Sequence, residues 1–359
     1  MSLGRAPLCP ARLEPVFSPR PWGARSLAPF FPEKSNLAEP LGEAWLTGNE
    51  CRFASGPFLG KKLGEIWPGL PVEWTGTKIT RDAPFPLLVK FIFAQEKLSV
   101  QVHPDDAYAS RHESAAGGRG KTEMWYVIDA APGAEVLVGL KPDVTPEIFK
   151  HAIANAIGDA SVEDFLQHVP LHPGDAMFVP AGTTHTIGAG FVLCEIQQSS
   201  DLTYRVYDYN RLNASGNARE LHLGKAFDVM RFGAQRGGKV DSATISTAAM
   251  SKTFFTACRY FATERWQFAQ PVSVRISHEH FELLIVLEGS GSFRWAKDSA
   301  RFGPAQVWLI PAALGELEIA PDSKTTILRT YVPSSMAAAT ENLLQQGLGE
   351  QEVARLVFP

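Results

Sequence analysis

The sequence predicts a mainly β protein with two jelly-roll β-barrel modules and a short helical insertion. Proline and glycine are abundant, at 26 and 30 residues, and the apolar runs are short, as in chains of many strands joined by turns. One region, 145–168, instead carries apolar residues at helical spacing. The sequence also contains a weak internal repeat, because 123–133 resembles 282–291 and 174–182 resembles 303–312. The duplication favours two copies of one β module.

The individual elements follow from local patterns. The predicted strands are short apolar runs bounded by turn residues, at 86–94, 98–103, 122–129, 134–139, 176–180, 191–198, 272–277, 281–287, 306–310 and 325–332. In the helical region, Thr145 and Pro146 form an N-cap and N1 pair, and a second helix is predicted to start near Ser161. Further helices are predicted at 219–231 and 335–347. We therefore expect a catalytic module at 1–240, with its insertion at about 142–170, and a second module at 241–359.

Composition limits the function classes. With 359 residues and a net charge of −4, the chain has no polycationic surface, so a nucleic-acid partner is not expected. An anionic substrate would need a local group of Lys or Arg side chains. The four scattered cysteines fit neither a disulfide framework nor a thiolate metal site. The sequence shows no signal peptide and no membrane-spanning stretch, so we expect a cytoplasmic protein without a membrane partner. We also expect a monomer or a weak homo-oligomer.

The segment 98–106 alternates strictly between apolar and polar residues. Ser99, Gln101 and His103 lie on one face of the predicted strand, and three aliphatic residues lie on the other. A Gln-x-His pair on one side of a strand supplies two candidate metal ligands. A solvated polar face on an amphipathic strand would give the same pattern, so this segment alone leaves both interpretations open.

Two further segments favour a metal site. Glu123 is a lone carboxylate at the start of an otherwise apolar strand. Residues 174–185 fit the cupin motif G-x5-P-x-G-x2-H, which ends on His185, although Ala189 stands where that motif usually has Asn. The glycines and the proline predict a hairpin turn that points His185 into a barrel mouth. Gln101, His103, Glu123 and His185 together form an N2O2 set suited to Zn²⁺ or another divalent ion.

These motifs resemble those of type I mannose-6-phosphate isomerases (phosphomannose isomerases) of the short bacterial kind. The resemblance covers most of 20–215, on Trp22-Gly23, Leu41–Trp45, Leu98–Asp106, Gly120–Trp125, Gly174–His185 and Ser199–Asp208. It implies two cupin modules and interconversion of mannose 6-phosphate and fructose 6-phosphate through a metal-stabilised cis-enediolate. It also implies one Zn²⁺ per chain, or another divalent ion, on Gln101, His103, Glu123 and His185.

The resemblance extends to the residues around the metal. It implies catalytic roles for Lys121 and Arg205, and substrate contacts for Ser99, Lys90 and Asp201. The base that moves the proton is left open between Lys121 and a metal-bound water. Gly120 departs from longer relatives, which carry a histidine there. The second module has no histidine after Pro311 to match His185, so we expect that barrel to be metal-free and structural.

Three other functions are compatible with the sequence. An Fe²⁺ cupin oxygenase more often presents several histidines, whereas Gln101 takes one of those places here. A sugar-binding bicupin without turnover would not need Lys121 and Arg205. The same isomerisation on a different sugar phosphate is also compatible with the sequence, because a fold does not fix its substrate.

Overall fold

The computed structural model describes residues 6–79, 84–155, 162–212, 216–234 and 237–359. Across these ranges the fold is dominated by antiparallel strands that form two sheet-on-sheet barrels, so the predicted mainly β class is confirmed. Among these residues no helix is both long and apolar enough to cross a membrane.

The first barrel contains two sheets among the described residues. The larger sheet has seven strands, in the spatial order Gly238–Lys239, Ala176–Val179, Glu123–Ala130, Phe191–Gln198, Leu87–Ala94, Leu41–Trp45 and Val16–Ala24. The smaller sheet has five, in the order Tyr204–Tyr207, Val100–Val102, His185–Ile187, Glu135–Leu140 and Leu166–Pro170. Their inner faces bury one apolar cluster, which includes Ile92 and Trp125 from the first sheet and Val138 and Ile187 from the second.

The second barrel repeats this arrangement. Its larger sheet has nine described strands, with Ala243–Ser246, Ser251–Cys258, Ala262–Phe268, Thr325–Tyr331, Glu282–Glu288, Val307–Ile310, Ala11–Glu14 and Arg52–Phe53 in order and Val357–Phe358 beside Ser251–Cys258. Its smaller sheet has four, in the order Val272–Arg275, Glu316–Pro321, Gly291–Trp295 and Asp298–Phe302. Trp266 and Leu284 from the larger sheet pack with Phe293 and Ile319 from the smaller one.

The two copies of the internal sequence repeat form equivalent pairs of strands in the two barrels. Glu123 is paired with Val179 in the first barrel, and Glu282 is paired with Ile310 in the second. In each case the glutamate begins a central strand, and its partner comes one residue before a proline. The two copies therefore share a register as well as a sequence pattern.

The two large sheets pack against each other through an apolar cluster. This cluster combines Phe91 and Tyr126 of the first barrel with Phe255 and Phe281 of the second, and the rings of Tyr126 and Phe255 lie 5.5 Å apart. The N-terminal strand Ala11–Glu14 pairs with Val307–Ile310 of the second barrel. The next strand, Val16–Ala24, belongs to the first barrel, so residues 11–24 contribute a strand to each barrel. The domain boundary near residue 240 stays a prediction.

The helices lie between strands. Those with α geometry are Leu63–Ile66, Val72–Thr75, Asp106–His112, Pro146–Ala154, Leu223–Val229, Met336–Gln345 and Glu350–Leu356. Short 3-10 turns occur at Pro32–Lys34, Trp67–Gly69, Ser114–Ala116, Val162–Phe165 and Ala312–Leu314. The predicted N-cap is present, since the Thr145 hydroxyl accepts a hydrogen bond from the Ile148 amide at 3.3 Å.

The end of the predicted helical segment differs from expectation. The start near Ser161 lies outside the described residues, and the helical prediction for 166–168 is wrong, because Leu166–Pro170 is a strand. It pairs with Glu135–Leu140 at the edge of the five-stranded sheet. The partner strand supplies backbone hydrogen bonds that a pattern of side chains cannot reveal, and Pro170 is tolerated at an edge.

Candidate active site

Three predicted metal ligands converge in the mouth of the first barrel. His103 follows the strand Val100–Val102, Glu123 opens its strand, and His185 opens the strand after the cupin turn. One side-chain donor atom from each lies within 4.8 Å of the others, and all three residues are buried. This is the one such group found among the residues that the structure describes. The sequence therefore identified residues that the fold brings together.

The turn before His185 has the geometry that its glycine predicts. Gly182 has a φ of +86°, which a residue with a side chain rarely adopts. Its amide donates to the carbonyl of His103 at 2.8 Å, which ties the turn directly to the other histidine. The glycine therefore sets the direction of His185 locally, and the long-range hydrogen bond to His103 holds the two histidines close together.

The hydrogen bonds of the two histidines set their tautomers. Nδ1 of His103 lies 2.8 Å from the carbonyl of Leu202, and Nδ1 of His185 lies 2.9 Å from the carbonyl of Thr183. A carbonyl can only accept, so each Nδ1 carries the proton and each Nε2 presents a lone pair. These Nε2 atoms lie 3.6 and 3.3 Å from the carboxylate of Glu123. Both rings are aimed at one centre.

Burial keeps these rings neutral. It lowers the pKa of His185 to about 4. Burial, followed by the charge of Lys121, lowers the pKa of His103 well below its ordinary value. A neutral imidazole is the form that binds a metal. The chemistry of the donor set thus fits a divalent cation.

Gln101 lies beside this group. It is the register partner of His185 in the neighbouring strand, and its amide nitrogen is 3.3 Å from Nε2 of His185. Its amide oxygen accepts from the hydroxyl of Ser99 at 3.3 Å. The oxygen and nitrogen exchange places on a half turn of the amide, which would direct the oxygen to the same centre.

Lys121 is a buried cation between two carboxylates. Its Nζ lies 2.6 Å from Oε2 of Glu123 and 3.0 Å from Oε1 of Glu195, and 3.3 Å from Nε2 of His103. Burial lowers the pKa of Lys121, but the two carboxylates outweigh it and raise the pKa above its ordinary value. The group is therefore an ammonium in this environment.

Lys90 and Asp201 form a second pair in the same mouth. Lys90 is buried, and its Nζ lies 3.2 Å from Oδ1 of Asp201 and 4.0 Å from Oε1 of Glu43. The ring of Trp45 lies 4.7 Å from the same nitrogen. Such contacts hold the charge of Lys90 at one position in the cavity wall.

Arg205 reaches the mouth from the strand Tyr204–Tyr207. It is the register partner of Gln101, which explains how it returns to the site from twenty residues after His185. Its Nη1 donates to the carbonyl of Glu220 at 2.8 Å. Burial, and then the charge of Arg219, lower the pKa of Arg205 from its ordinary value. The guanidinium thus lies in a region of excess positive charge.

The carboxylates near Arg205 are engaged elsewhere. Asp208 lies 2.5 Å from Arg211 and also contacts Arg219, while Asp201 pairs with Lys90. A surface ion pair with one of these two aspartates would be the alternative to a role for Arg205 in the site. The contacts observed for both aspartates are with other cations.

A cavity of about 340 Å³ connects these groups. It is lined by five basic and four acidic side chains, together with Ser99 and Gln101: Arg20, Lys90, Lys121, Arg205 and Arg219, and Glu43, Glu123, Glu195 and Asp201. Although the chain is acidic overall, basic side chains outnumber acidic ones by one in the wall of this cavity. It has the local basic character that an anionic ligand requires.

Sequence reasoning missed four of these groups: Arg20, Glu43, Glu195 and Arg219. For two of them a signal was present. Glu195 interrupts the apolar strand 191–198 and Glu43 interrupts the strand 41–45, whereas Glu123 stands at the start of its own strand. A lone carboxylate in a strand buried on both faces needs a buried partner. Arg20 and Arg219 lie in polar segments, where no pattern distinguishes them.

Two antiparallel barrels with a His, Glu and His group in one mouth define a cupin-type protein with a triad of side chains that could hold a metal ion. No protein-family model matches the sequence. Mannose-6-phosphate isomerase ManA of Bacillus subtilis is 33% identical over 315 residues, which cover 86% of this chain and 95% of that protein. Mannose-6-phosphate isomerase of Streptococcus mutans is 34% identical over 258 residues, 71% of this chain and 77% of that protein. The chain belongs to the mannose-6-phosphate isomerase family.

One solved structure supports this assignment, and a more distant one shows the same fold. A crystal structure of mannose 6-phosphate isomerase from Bacillus subtilis covers 89% of this chain and 99% of its own, with a TM-score of 0.80 and 31% identity. A phosphomannose isomerase from Salmonella typhimurium shares the fold at a TM-score of 0.70 and 15% identity, covering 90% and 99% of the two chains. The family resemblance drawn from the sequence motifs is confirmed.

Proposed function

We propose that this protein interconverts mannose 6-phosphate and fructose 6-phosphate, with one divalent metal held by Gln101, His103, Glu123 and His185. The observation that carries the proposal is the convergence of two Nε2 lone pairs and a carboxylate in a cavity with five basic side chains. Membership of the isomerase family selects the reaction class, and the excess positive charge suits a phosphorylated sugar.

Zinc is the metal that this ligand set suits best. Two imidazoles, one carboxylate and one amide would offer a divalent ion a borderline N2O2 set without thiolate. Such a set carries one negative charge, so a bound divalent ion would keep the site positive. When bound, the metal supplies Lewis-acid stabilisation of negative charge on the sugar oxygens O1 and O2.

Lys121 and Arg205 are proposed to stabilise the same developing charge from the protein side. Moving a carbonyl between C1 and C2 removes a proton next to a carbonyl and leaves negative charge on both oxygens. The ammonium of Lys121 is fixed by Glu123 and Glu195, within 3.3 Å of a proposed ligand, His103. A preorganised cation of this kind needs no reorganisation during the reaction.

The remaining basic residues are proposed to hold the sugar phosphate. Lys90 and Ser99 line the cavity beside the triad, and Asp201 fixes the position of the Lys90 ammonium. Arg20 and Arg219 lie in the same wall. Charge-assisted hydrogen bonds from these groups would orient the substrate while its reacting carbons face the metal.

The experiment is a coupled isomerase assay on a panel of phosphorylated aldoses, before and after chelation, with stepwise return of Zn²⁺ and other divalent ions. We expect mannose 6-phosphate to be the preferred substrate and chelation to abolish its turnover. Full turnover after exhaustive chelation would refute the metal role. Preference for another aldose phosphate would refute the substrate assignment and leave the metal site standing.

A further inference from the structure

The backbone segment that carries Lys121 is held at three consecutive amides. The amide of Gly120 donates to Oδ1 of Asp106 at 2.9 Å, that of Lys121 to the carbonyl of Pro104 at 3.0 Å, and that of Thr122 to Oε1 of Gln198 at 2.8 Å. Residues 120–122 lie outside any helix or strand, because the strand begins at Glu123. These three acceptors therefore define the position of the segment.

Asp106 and Gln198 are linked to each other. The amide nitrogen of Gln198 donates to Oδ1 of Asp106 at 3.0 Å, so this oxygen accepts two hydrogen bonds. Asp106 begins the helix Asp106–His112, three residues after the proposed ligand His103. A shift of the Asp106 carboxylate would therefore move the Lys121 segment relative to a proposed metal ligand.

The other oxygen of Asp106 is held from the second barrel. Oδ2 accepts from the hydroxyl of Tyr260 at 2.7 Å and from Nη2 of Arg259 at 2.8 Å. Arg259 also donates to the Tyr260 hydroxyl, and its guanidinium lies 4.6 Å from the centre of that ring. Both residues occupy the turn between the strands Ser251–Cys258 and Ala262–Phe268.

The close approach of segment 120–122 to Asp106 explains the glycine at position 120. A Cβ there would lie 2.5 Å from the amide nitrogen of Asp106 and 2.7 Å from the carbonyl carbon of Asp105. Both neighbours are backbone atoms, which cannot swing aside. A larger residue at 120 is thus incompatible with the hydrogen bonds that hold segment 120–122 against Asp106. Glycine at this position allows the close approach that places Lys121.

We infer that the Arg259–Tyr260 turn of the second barrel positions Lys121 through Asp106 and Gln198. The inference rests on the proposed function, because it assigns a catalytic consequence to the place of the Lys121 ammonium. Arg259, Tyr260, Asp106 and Gln198 are positioning residues, since they act on the reaction only through Lys121. The second barrel then contributes to turnover as well as to packing.

The test compares the double variant R259A/Y260F with the control Arg294→Ala. Arg294 pairs with Glu318 at 2.7 Å with 56% of its side chain exposed, which matches the 2.8 Å pair and 59% exposure of Arg259. In hydrogen exchange, we expect the peptide spanning 118–124 to lose protection in the double variant and to keep it in the control. Metal content should be unchanged in both.

Kinetics supply the second readout. Because misplacement by about 1 Å can cost on the order of a hundredfold in rate, we expect kcat to fall roughly tenfold for a partial release, with little change in KM. In the Lys121→Ala background, the double variant should cause no further fall. A structural defect would instead lower turnover by the same factor with or without Lys121, which would overturn the inference.

The outcomes separate the inference from the proposed function. Unchanged protection of 118–124 would show that the Arg259–Tyr260 turn does not hold segment 120–122, whether or not the protein is an isomerase. Lost protection with unchanged turnover overturns the positioning role while the isomerase assignment stands. A wild-type protein without turnover on mannose 6-phosphate refutes the proposed function, and hydrogen exchange then decides by itself whether the second barrel holds segment 120–122.

Discussion

Replacing Arg205 by alanine separates an isomerase from a sugar-binding protein of the same fold. The folded state should lose little, because the guanidinium donates one hydrogen bond to the described part of the chain, to the carbonyl of Glu220 at 2.8 Å, and Asp208 keeps Arg211 and Arg219 as partners. We expect metal content and the thermal midpoint to stay close to wild type. The change should act on the reaction.

The expected size follows from the position of the charge. Two unit charges 4 Å apart at an effective dielectric constant of about 20 interact with roughly 4 kcal/mol. Part of this attraction is present in the ground state, because the substrate already carries a phosphate. Loss of one preorganised donor typically costs about 3 kcal/mol of transition-state stabilisation, or on the order of a hundredfold in kcat/KM.

The assay is coupled isomerase turnover on metal-loaded, folded protein, with Arg205→Lys and Arg301→Ala alongside. The lysine variant should recover activity only in part, since a point charge cannot reproduce the planar guanidinium. Arg301 pairs with Asp322 on the second barrel, so its loss should leave kcat/KM unchanged. Near-normal turnover of a folded, metal-loaded Arg205→Ala protein would refute the reasoning.

Three further predictions concern the metal and stability. His185→Ala should bind less than about a tenth of the wild-type metal and show no turnover, measured by elemental analysis beside the assay; stoichiometric metal in this variant would exclude His185 as a ligand. In the chelated protein, the folded-state pKa of His185 is lowered to about 4 from 6.5. The free energy of unfolding should therefore be highest above pH 6.5 and fall as the pH drops from 6.5 towards 4, because the unfolded state binds the proton first. Urea titrations should show a weaker fall in His185→Gln, and an equal fall would contradict this. Arg329→Met should destabilise the second barrel by about 3–5 kcal/mol, since it strands Glu264 and Glu282, which the arginine contacts at 2.9 and 2.5 Å. Denaturation measures that loss, and a change below about 1 kcal/mol would show that the pair of carboxylates tolerates it.

The candidate triad of His103, Glu123 and His185 could be predicted from local sequence because local rules position its members. Alternation along 98–103 places Gln101 and His103 on one face, and this holds in any strand of period two. The cupin turn fixes His185 through a glycine at positive φ, which is again a local property. Glu123 was recognisable as a charge that opens an apolar strand.

The fold class was predictable for a similar reason. Short apolar runs between glycines and prolines indicate strands, and the repeated pattern around Glu123 and Glu282 indicated two modules. Both glutamates occupy the same register position in the structure. The helical pattern was wrong at 166–168, where the strand Leu166–Pro170 pairs with Glu135–Leu140 and this pairing outweighed the spacing of the side chains.

Local sequence patterns indicated the ten predicted strands, the cupin turn and the candidate ligands, because alternation and turn geometry act within a few residues, whereas strands such as Ser251–Cys258 and Ala262–Phe268 were not predicted. The groups that surround the candidate ligands depend on tertiary contacts. Glu195 meets Lys121 from 74 positions later, and Tyr260 meets Asp106 from 154 positions later. Such contacts depend on sheet register and on how two barrels pack, and no local pattern encodes either. The charge environment of Lys121, and the anchor that holds it from the second barrel, are therefore properties of the folded chain alone.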